Sequence, residues 1–479
     1  MQKDGERPMK LYQKFRNSSL DTSILGLFSG ADTSDSVYTP SGARIVAWIG
    51  TSGGHFCQVM GFGDMVFAVD PSAPPGDCVH PVANGLLDFI SLLYRCRDAG
   101  LIFRAYQWSR TRFEEQAAAI RPDYKMRSVL RALENTYRPP VIQDPYGYIS
   151  QLQQSFDYSS LPLHPDYYEW CPIRPGAPRW DVGMNTSFAD YCDKKKAGQE
   201  LTVNRAFLWE GENWQVPAVY LCENGIVVDS YLEVPCERIE QYLEKWGHTD
   251  PTQLSIEEKM RRELDDPLKM DAVGVLIVNG KEAPLRTTYT LTWNPKTENT
   301  WQTRRTLEHY GLDREKGYLL RREAFLRKSS SPPIRNMDLV LKAEPVAVPG
   351  QRFVAPKNGE SMTFTHPVSG NLHSLTVISQ TREALDPNFL SNHPCCYTRL
   401  SFSLEPQISR ELFSVVDCDP GDGWNGPKDG PTAVFLTGKV PSVGHCAFSS
   451  LRYTPADQII WRMVFMQKTR QDVTVPLLP

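Results

Sequence analysis

The segment from Val59 to Arg97, VMGFGDMVFAVDPSAPPGDCVHPVANGLLDFISLLYRCR, constrains the fold of this chain more than any other. Met65 to Val69 is a short apolar run bounded by aspartate and proline, which is typical of a buried strand. Apolar residues then recur at helical spacing: Val82, Leu86, Phe89, Leu92 and Leu93. This periodicity predicts an amphipathic helix, whose apolar face must be buried against another element.

The fold class predicted from the whole chain is a multidomain α+β protein. We predict an α/β domain over residues 1–190 that ends in a linker rich in proline and aromatic residues. A small α+β domain is predicted over 191–268, and an antiparallel, β-sandwich-like domain over 269–479, where short alternating strands are separated by proline, glycine and asparagine. Asn224-Gly225 and Asn279-Gly280 each predict a tight hairpin, because such pairs accept positive φ readily.

The composition excludes several classes of protein. The 479 residues carry a formal net charge of -4 and the sequence pI is about 6.2, which gives no electrostatic reason to expect nucleic acid or an anionic membrane as a partner. The sequence contains no run of about 18 apolar residues, so no transmembrane helix is predicted. The N-terminal residues contain no apolar core of a secretory signal, and eleven irregularly spaced cysteines suit a reducing compartment, so we expect a cytoplasmic protein.

A glycine pair precedes a histidine and a cysteine in the segment Ser52-Gly53-Gly54-His55-Phe56-Cys57. His55 and Cys57 lie two residues apart, so on a strand they face the same side, and Cys57 would be a nucleophile with His55 as its base. The alternative is a hairpin turn that leads into a strand, with Cys57 as a small core residue. We favour the second interpretation, because no third group that would orient the pair can be assigned.

Two groups of aromatic residues are candidate binding surfaces. Trp424 lies in the glycine- and aspartate-rich segment VVDCDPGDGWNGPKDGP, which fails the calcium-loop pattern because no glutamate closes it. Trp424 is therefore either a latch that folds back on the protein or an exposed binding residue. Tyr167 and Trp170 lie in the predicted linker and are the second candidate for protein binding.

Two further clusters favour ordinary structural roles. His366 and His373 flank a predicted turn, and a third ligand from His393 or Cys395 would be needed for a metal site, so we predict no metal and no cofactor. Arg304-Arg305 and the basic run from Arg321 onward are interleaved with glutamate and aspartate. That mixture of charges predicts a solvated face with salt bridges and argues against an RNA-binding surface.

The stretches GFGDMVFAVDP and HPVANGLLDFISLLYRC resemble the SUKH superfamily, whose members include immunity proteins of bacterial toxin systems and regulators of cell-wall synthesis. In that family a strand pair leads through an acidic, proline-containing loop to a helix, and Phe89, Leu92 and Leu93 occupy the equivalent apolar positions. The resemblance implies a binding module for residues 1–190, with a protein such as a toxin or a regulator as its partner. The rest of the chain resembles uncharacterised bacterial proteins.

Three functional hypotheses follow from these patterns. The first is a non-catalytic, cytoplasmic protein-binding protein, which agrees with the resemblance and with the absence of linear catalytic motifs. The second is a hydrolase or transferase with a dispersed active site, since catalytic residues converge in space rather than in sequence. The third is a carbohydrate-binding β-sandwich, because tryptophan and tyrosine on sheets and loops suit sugar faces.

Overall fold

The structure is a computed structural model of the chain. It describes residues 6–50, 52–74, 76–171, 173–176, 180–188, 193–270, 272–367, 369–385, 394–419, 444–468 and 470–478. Trp424 and His393, two candidate residues from the sequence, lie outside these ranges.

The described residues form a mixed α/β structure with ten α-helices and five antiparallel sheets. The helices are α1 (Glu6–Arg16), α2 (Leu86–Cys96), α3 (Ala99–Arg104), α4 (Arg110–Ala119), α5 (Tyr124–Tyr137), α6 (Pro145–Ser155), α7 (Tyr167–Trp170), α8 (Cys236–Trp246), α9 (Ile256–Asp265) and α10 (Trp301–Tyr310). None of these helices is long and apolar enough to cross a membrane.

The described residues also form twenty strands, which come in runs between and after the helices. In the first half they are β1 (Ala43–Ile49), β2 (Gly54–Val59), β3 (Val66–Val69), β4 (Val79–Ala83), β5 (Gln199–Trp209), β6 (Glu212–Cys222), β7 (Gly225–Val234), β8 (Ala272–Val278), β9 (Lys281–Ala283) and β10 (Leu285–Trp293). In the second half they are β11 (Gly317–Leu326), β12 (Met337–Ala343), β13 (Val346–Val354), β14 (Ser361–Thr365), β15 (Leu372–Ala384), β16 (Cys396–Glu405), β17 (Phe413–Asp417), β18 (His445–Phe448), β19 (Ile460–Gln467) and β20 (Val473–Leu478).

The chain divides into two compact units that are not contiguous in sequence. Unit 1 comprises residues 1–208, 212–236 and 283–333, and unit 2 comprises 209–211, 237–282 and 334–479. This division differs from the three predicted domains, with their boundaries at 190 and 268. The reason is that β11 returns to pair with β7 over its whole length, from Gly317 opposite Val234 to Leu326 opposite Gly225, and so draws residues 283–333 into unit 1.

The first sheet of unit 1 has the strand order β1-β2-β3-β4 and is covered on both faces. Phe56 and Val66 lie in a core with α2 and its neighbouring helices, whereas Cys57 and Phe67, one residue further along, lie in a second core on the opposite face. Residues of the predicted linker, such as Leu161, supply the cover of that second face. Because both faces are covered, the strands are almost continuously apolar instead of alternating.

The predicted helix after this sheet is present, but it begins later than its periodicity suggests. Val82 belongs to β4 and is buried there, whereas α2 starts at Leu86 and buries Phe89, Leu92 and Leu93. The sequence analysis missed β4, because a five-residue buried strand before a helix continues the apolar pattern without a break. β4 matters for the site below, because it carries His80.

The second sheet of unit 1 has the order β10-β11-β7-β6-β5. Unit 2 contains the remaining three sheets, in the orders β20-β12-β8-β9, β13-β19-β17 and β14-β15-β16-β18. The last two of these share one hydrophobic core, in which Phe402 of one sheet and Trp461 of the other are buried.

Candidate functional site

His55 and Cys57, the candidate catalytic pair, are both fully buried in β2. The ring nitrogens of His55 lie 2.9 Å from the carbonyl oxygen of Gly53 and 3.3 Å from the hydroxyl of Thr39. Cys57 lies in the apolar core on the linker side of the first sheet. Burial raises the pKa of its thiol well above the ordinary value, so the reactive thiolate is strongly disfavoured.

The predicted binding aromatics of α7 separate into a buried and an exposed set. Tyr167 is completely buried, and its hydroxyl donates a 2.8 Å hydrogen bond to the carbonyl oxygen of Ile173. It is therefore a core residue, and the expectation that it lies on the surface is corrected. Trp170 is 69% exposed and its neighbour Tyr168 is 54% exposed, so these two rings form the accessible aromatic surface of α7.

The histidines considered for a metal lie close together without forming a site. The ring centroids of His366 and His373 are 6.0 Å apart. The ring nitrogen Nδ1 of His373 lies 3.0 Å from the carbonyl oxygen of Pro406. Across the described parts of the chain, no group of three or more histidine, cysteine, aspartate or glutamate side chains is arranged to hold a metal ion.

A polar cavity that no sequence pattern predicted is the candidate site. It lies in unit 1, has a volume of about 570 Å³, and is called the Arg304 cavity below. Its walls come from the start of β4 with the residue Asp77 before it, from the helices α6 and α10, and from the residues that lead into β11. Three separate residues, Tyr106, Tyr158 and Gly176, complete the lining. A volume of this size lies within the range of small-molecule binding sites, about 300–1,000 Å³.

His80 is a fixed wall residue of this cavity. Its ring stacks on the ring of Tyr106, with the centroids 3.9 Å apart and the planes inclined by 22°. Its nitrogen Nε2 lies 2.8 Å from the carbonyl oxygen of Asp77, and Nδ1 lies 3.3 Å from the hydroxyl of Tyr158. Burial, assisted by the positive charge of Arg304, lowers the pKa of His80 to about 3, so this imidazole is neutral at ordinary pH.

Arg304 contributes a buried guanidinium with two carboxylate partners. Arg304 as a whole is 4% exposed. Its guanidinium forms an ion pair with Asp77, and its Nη1 atom lies 3.4 Å from the carboxylate of Glu308. Burial alone would lower the pKa of Arg304, but these two carboxylates raise it above the ordinary value. Arg314 approaches the same Glu308 carboxylate at 2.5 Å, so the charges form a connected network.

The helix α10 places these groups because Arg304 and Glu308 are four residues apart and share one helix face. Thr300 caps the N-terminus by accepting from the backbone N–H of Thr303, and Gly311 ends the helix in the left-handed conformation. The predicted solvated face is wrong for Arg304 and Arg305, which are 4% and 6% exposed.

A second buried ion pair holds the other face of α10. Asp229 of β7 accepts two hydrogen bonds from Arg322 of β11, at 2.8 and 2.7 Å, and a third at 2.7 Å from the hydroxyl of Tyr310. The guanidinium of Arg322 lies 4.4 Å from the ring centroid of Phe188. Because Tyr310 is the last residue of α10, this network ties the helix to the second sheet of unit 1.

The remaining wall of the cavity comes from tyrosine and amide side chains. Tyr158 and Gln153 are half-buried, and burial raises the pKa of Tyr158 well above its ordinary value, so its hydroxyl stays protonated. Gly176 also lines the cavity, with φ at +68°, and a Cβ atom there would lie 2.1 Å from the ring of Tyr158. The cavity can thus offer hydrogen bonds from several fixed groups to a polar ligand.

Sequence analysis missed this site because its members are spread over more than 200 residues and form no linear motif. The only signal was the density of charge around Arg304, Glu308 and Arg314, which has the composition of an ordinary exposed helix. Comparison with known proteins adds no assignment: no protein-family model, no curated protein and no solved structure matches this chain.

Proposed function

We propose that this protein is a non-catalytic binding protein and that its unit 1 receives a polar ligand in the Arg304 cavity. The single observation that carries the proposal is a cavity of about 570 Å³ whose polar wall groups, above all His80 and Arg304, are buried and fixed by hydrogen bonds and ion pairs. A site with prearranged polar groups loses little side-chain entropy when a ligand binds.

The chemistry of the wall groups favours binding over catalysis. A general base works best with a pKa near the working pH, whereas the pKa of His80 is about 3. Arg304 is held by its carboxylate partners, and the buried thiol of Cys57 lies in the apolar core. None of these three residues is poised as a nucleophile or as a proton-transfer group near neutral pH.

A pair of matched variants on α6 tests this proposal. Gln154 is exposed and lines the cavity, so Gln154→Trp fills its mouth at a position where the fold tolerates a larger side chain. Gln151 is exposed on the same helix outside the cavity wall, and Gln151→Trp is the control. Thermal unfolding would be measured against a panel of sugars, amino acids, nucleotides, amines and short peptides.

The expected result is that at least one class of compound raises the melting temperature of the wild type and of Gln151→Trp but not that of Gln154→Trp. Binding to the folded state alone raises the melting temperature by mass action. The proposal is refuted if no compound stabilises the wild type, or if the two variants respond alike.

A second candidate function is protein recognition at α7, where Tyr168 and Trp170 expose two neighbouring rings. Exposed aromatic residues are enriched among the residues that dominate binding energies at interfaces. The resemblance to the SUKH superfamily supports a partner such as a toxin or a regulator. The test is whether the wild type captures one partner in stoichiometric amounts. Trp170→Ala should lose that partner, whereas Tyr124→Ala, a control at another exposed ring, should retain it.

Finer structural assignments belong to the same proposal. Residues 1–190 are proposed to be a SUKH-like domain, with α2 as the family helix. The two sheets β13-β19-β17 and β14-β15-β16-β18 are proposed to form a β-sandwich, supported by their shared core. A cytoplasmic location is proposed as well, since the ten cysteines that the structure describes are in no disulfide.

A further inference from the structure

A second cavity of unit 1 adjoins the Arg304 cavity. It has a volume of about 340 Å³ and lies at the N-terminal end of α10, where Thr300, Trp301 and Gln302 line it; it is called the α10 cavity. Tyr106 and Arg304 line both cavities, so the two spaces share a wall. A ligand that extended past Tyr106 and Arg304 would occupy both.

The positively charged groups of the two cavities are already paired within the protein. In the Arg304 cavity, both guanidiniums already have carboxylate partners. In the α10 cavity, the carboxylate of Asp70 accepts from the backbone N–H and the hydroxyl of Ser72, at 2.9 and 2.6 Å, and from the hydroxyl of Tyr106 at 3.4 Å. The remaining wall carboxylate, Asp313, is exposed to water. An uncharged ligand therefore fits this arrangement better than an anion.

The uncharged wall groups are suited to hydroxyls. Side-chain amides carry both donors and acceptors, as hydroxyl groups do, and Gln153 and Gln302 supply one amide to each cavity. The oxygen Oε1 of Gln302 is buried and has no hydrogen-bond partner, although a buried acceptor ordinarily has one. A ligand hydroxyl that donates to this oxygen would satisfy it.

Each cavity also has a half-buried aromatic ring, Tyr158 in the Arg304 cavity and Trp301 in the α10 cavity. The C–H faces of a sugar ring are apolar, so they pack on aromatic rings while the equatorial hydroxyls reach polar groups at the side. One ring in each of two adjoining cavities provides two such positions.

From these observations we propose that the ligand is a neutral oligosaccharide whose successive sugar rings occupy the Arg304 cavity and the α10 cavity. This inference rests on the proposed function, and it adds the ligand class and the second subsite. It places sugar recognition in the α/β unit 1 rather than on the β-rich C-terminal region.

The test is calorimetric titration of the full-length protein with neutral sugars of one to six units from several linkage series. Ser72 is exposed and lines the α10 cavity, so Ser72→Trp blocks the second subsite alone. Thr252→Trp is the control, because Thr252 is exposed and binds the carboxylate of Asp250 in the same local geometry, at 2.9 and 2.7 Å, but lines neither cavity. Gln154→Trp blocks the first cavity.

We expect the affinity for one series to rise by about tenfold or more as the chain lengthens, since each further well-placed ring contributes on the order of 1.4 kcal/mol. Ser72→Trp should abolish that gain and keep the affinity for the shortest member, whereas Thr252→Trp should change neither.

The outcomes separate this inference from the proposed function. If a peptide, a nucleotide or an amine binds and Gln154→Trp abolishes its binding, the cavity is a binding site but the oligosaccharide assignment is overturned. An affinity independent of chain length, or unaffected by Ser72→Trp, overturns the second subsite. If no compound of any class binds the wild type, the proposed function itself fails.

Discussion

The buried imidazole of His80 should make the stability of unit 1 fall steeply in acid. Its pKa is lowered from 6.5 in the unfolded chain to about 3 in the folded protein, so the unfolded state binds a proton first as the pH falls. Stability from this group is therefore complete above about pH 6.5 and is lost progressively as the pH falls toward 3. The perturbation that isolates the effect is His80→Gln, which keeps hydrogen-bonding capacity but removes the titration.

The magnitude follows from proton linkage. At pH 4.5 the protonated form of His80 outnumbers the neutral form about a hundredfold in the unfolded chain, whereas the folded group stays mostly neutral. This difference removes roughly 2.7 kcal/mol of unfolding free energy, against about 0.2 kcal/mol at pH 7. Any folded pKa below about 4 gives nearly the same difference, because the folded group is then mostly neutral at pH 4.5. The contribution that His80 loses between the two pH values is therefore about 2.5 kcal/mol.

The assay is urea unfolding of the wild type and of His80→Gln at pH 7 and pH 4.5, followed by circular dichroism. Other acid-sensitive groups affect both proteins alike, so the difference between them isolates His80. We expect the stability advantage of the wild type to shrink by about 2.5 kcal/mol, or to reverse, at the lower pH. An unchanged difference, within about 0.5 kcal/mol, would show that His80 is solvated or charged in the folded protein and would refute the reasoning.

Three further predictions concern the cores of the two units. Asp229→Ala should lower the unfolding free energy by about 3–5 kcal/mol, since it leaves the guanidinium of Arg322 buried without its carboxylate. The double variant Asp229→Ala with Arg322→Met should recover part of that loss. A double-mutant cycle measures the interaction energy of the pair. Cys57 should resist iodoacetamide at pH 8 in the native protein and react in urea, as peptide mass spectrometry would show; rapid native labelling would contradict its burial. Trp461→Ala should destabilise unit 2 by about 3–5 kcal/mol in chemical unfolding, because a fully buried indole leaves a large cavity, and a loss below about 1 kcal/mol would contradict that packing.

Much of the local structure could be predicted from the sequence, because it depends on contacts between near neighbours. The helical spacing of Phe89, Leu92 and Leu93 predicted α2, whose buried face contains all three residues. Asn279-Gly280 predicted a tight turn, and both residues adopt positive φ, 51° and 77°, between β8 and β9. Asn224-Gly225 predicted the position of the β6–β7 hairpin, although the turn itself consists of Glu223 and Asn224.

The exposure of charged and aromatic side chains depended on distant partners, and there the sequence was a weaker guide. Arg304 has the sequence context of a solvated helix face, yet Asp77 lies 227 positions earlier in the chain and forms its ion pair. Tyr167 and Trp170 lie in one short helix with similar surroundings, but only Tyr167 meets the first sheet and is buried.

The sequence by itself determined where the main helices and strands of this protein lie and what their apolar faces are, because hydrophobic periodicity and turn chemistry act over a few residues. Only the tertiary structure decided that β11 pairs with β7, which brings α10 with Arg304 into unit 1 beside His80 and the Arg304 cavity. The physical reason is that pairing between distant strands and the burial of a charge both depend on partners that the local sequence does not specify. The candidate site is made of such pairings, so it became visible only once the chain was folded.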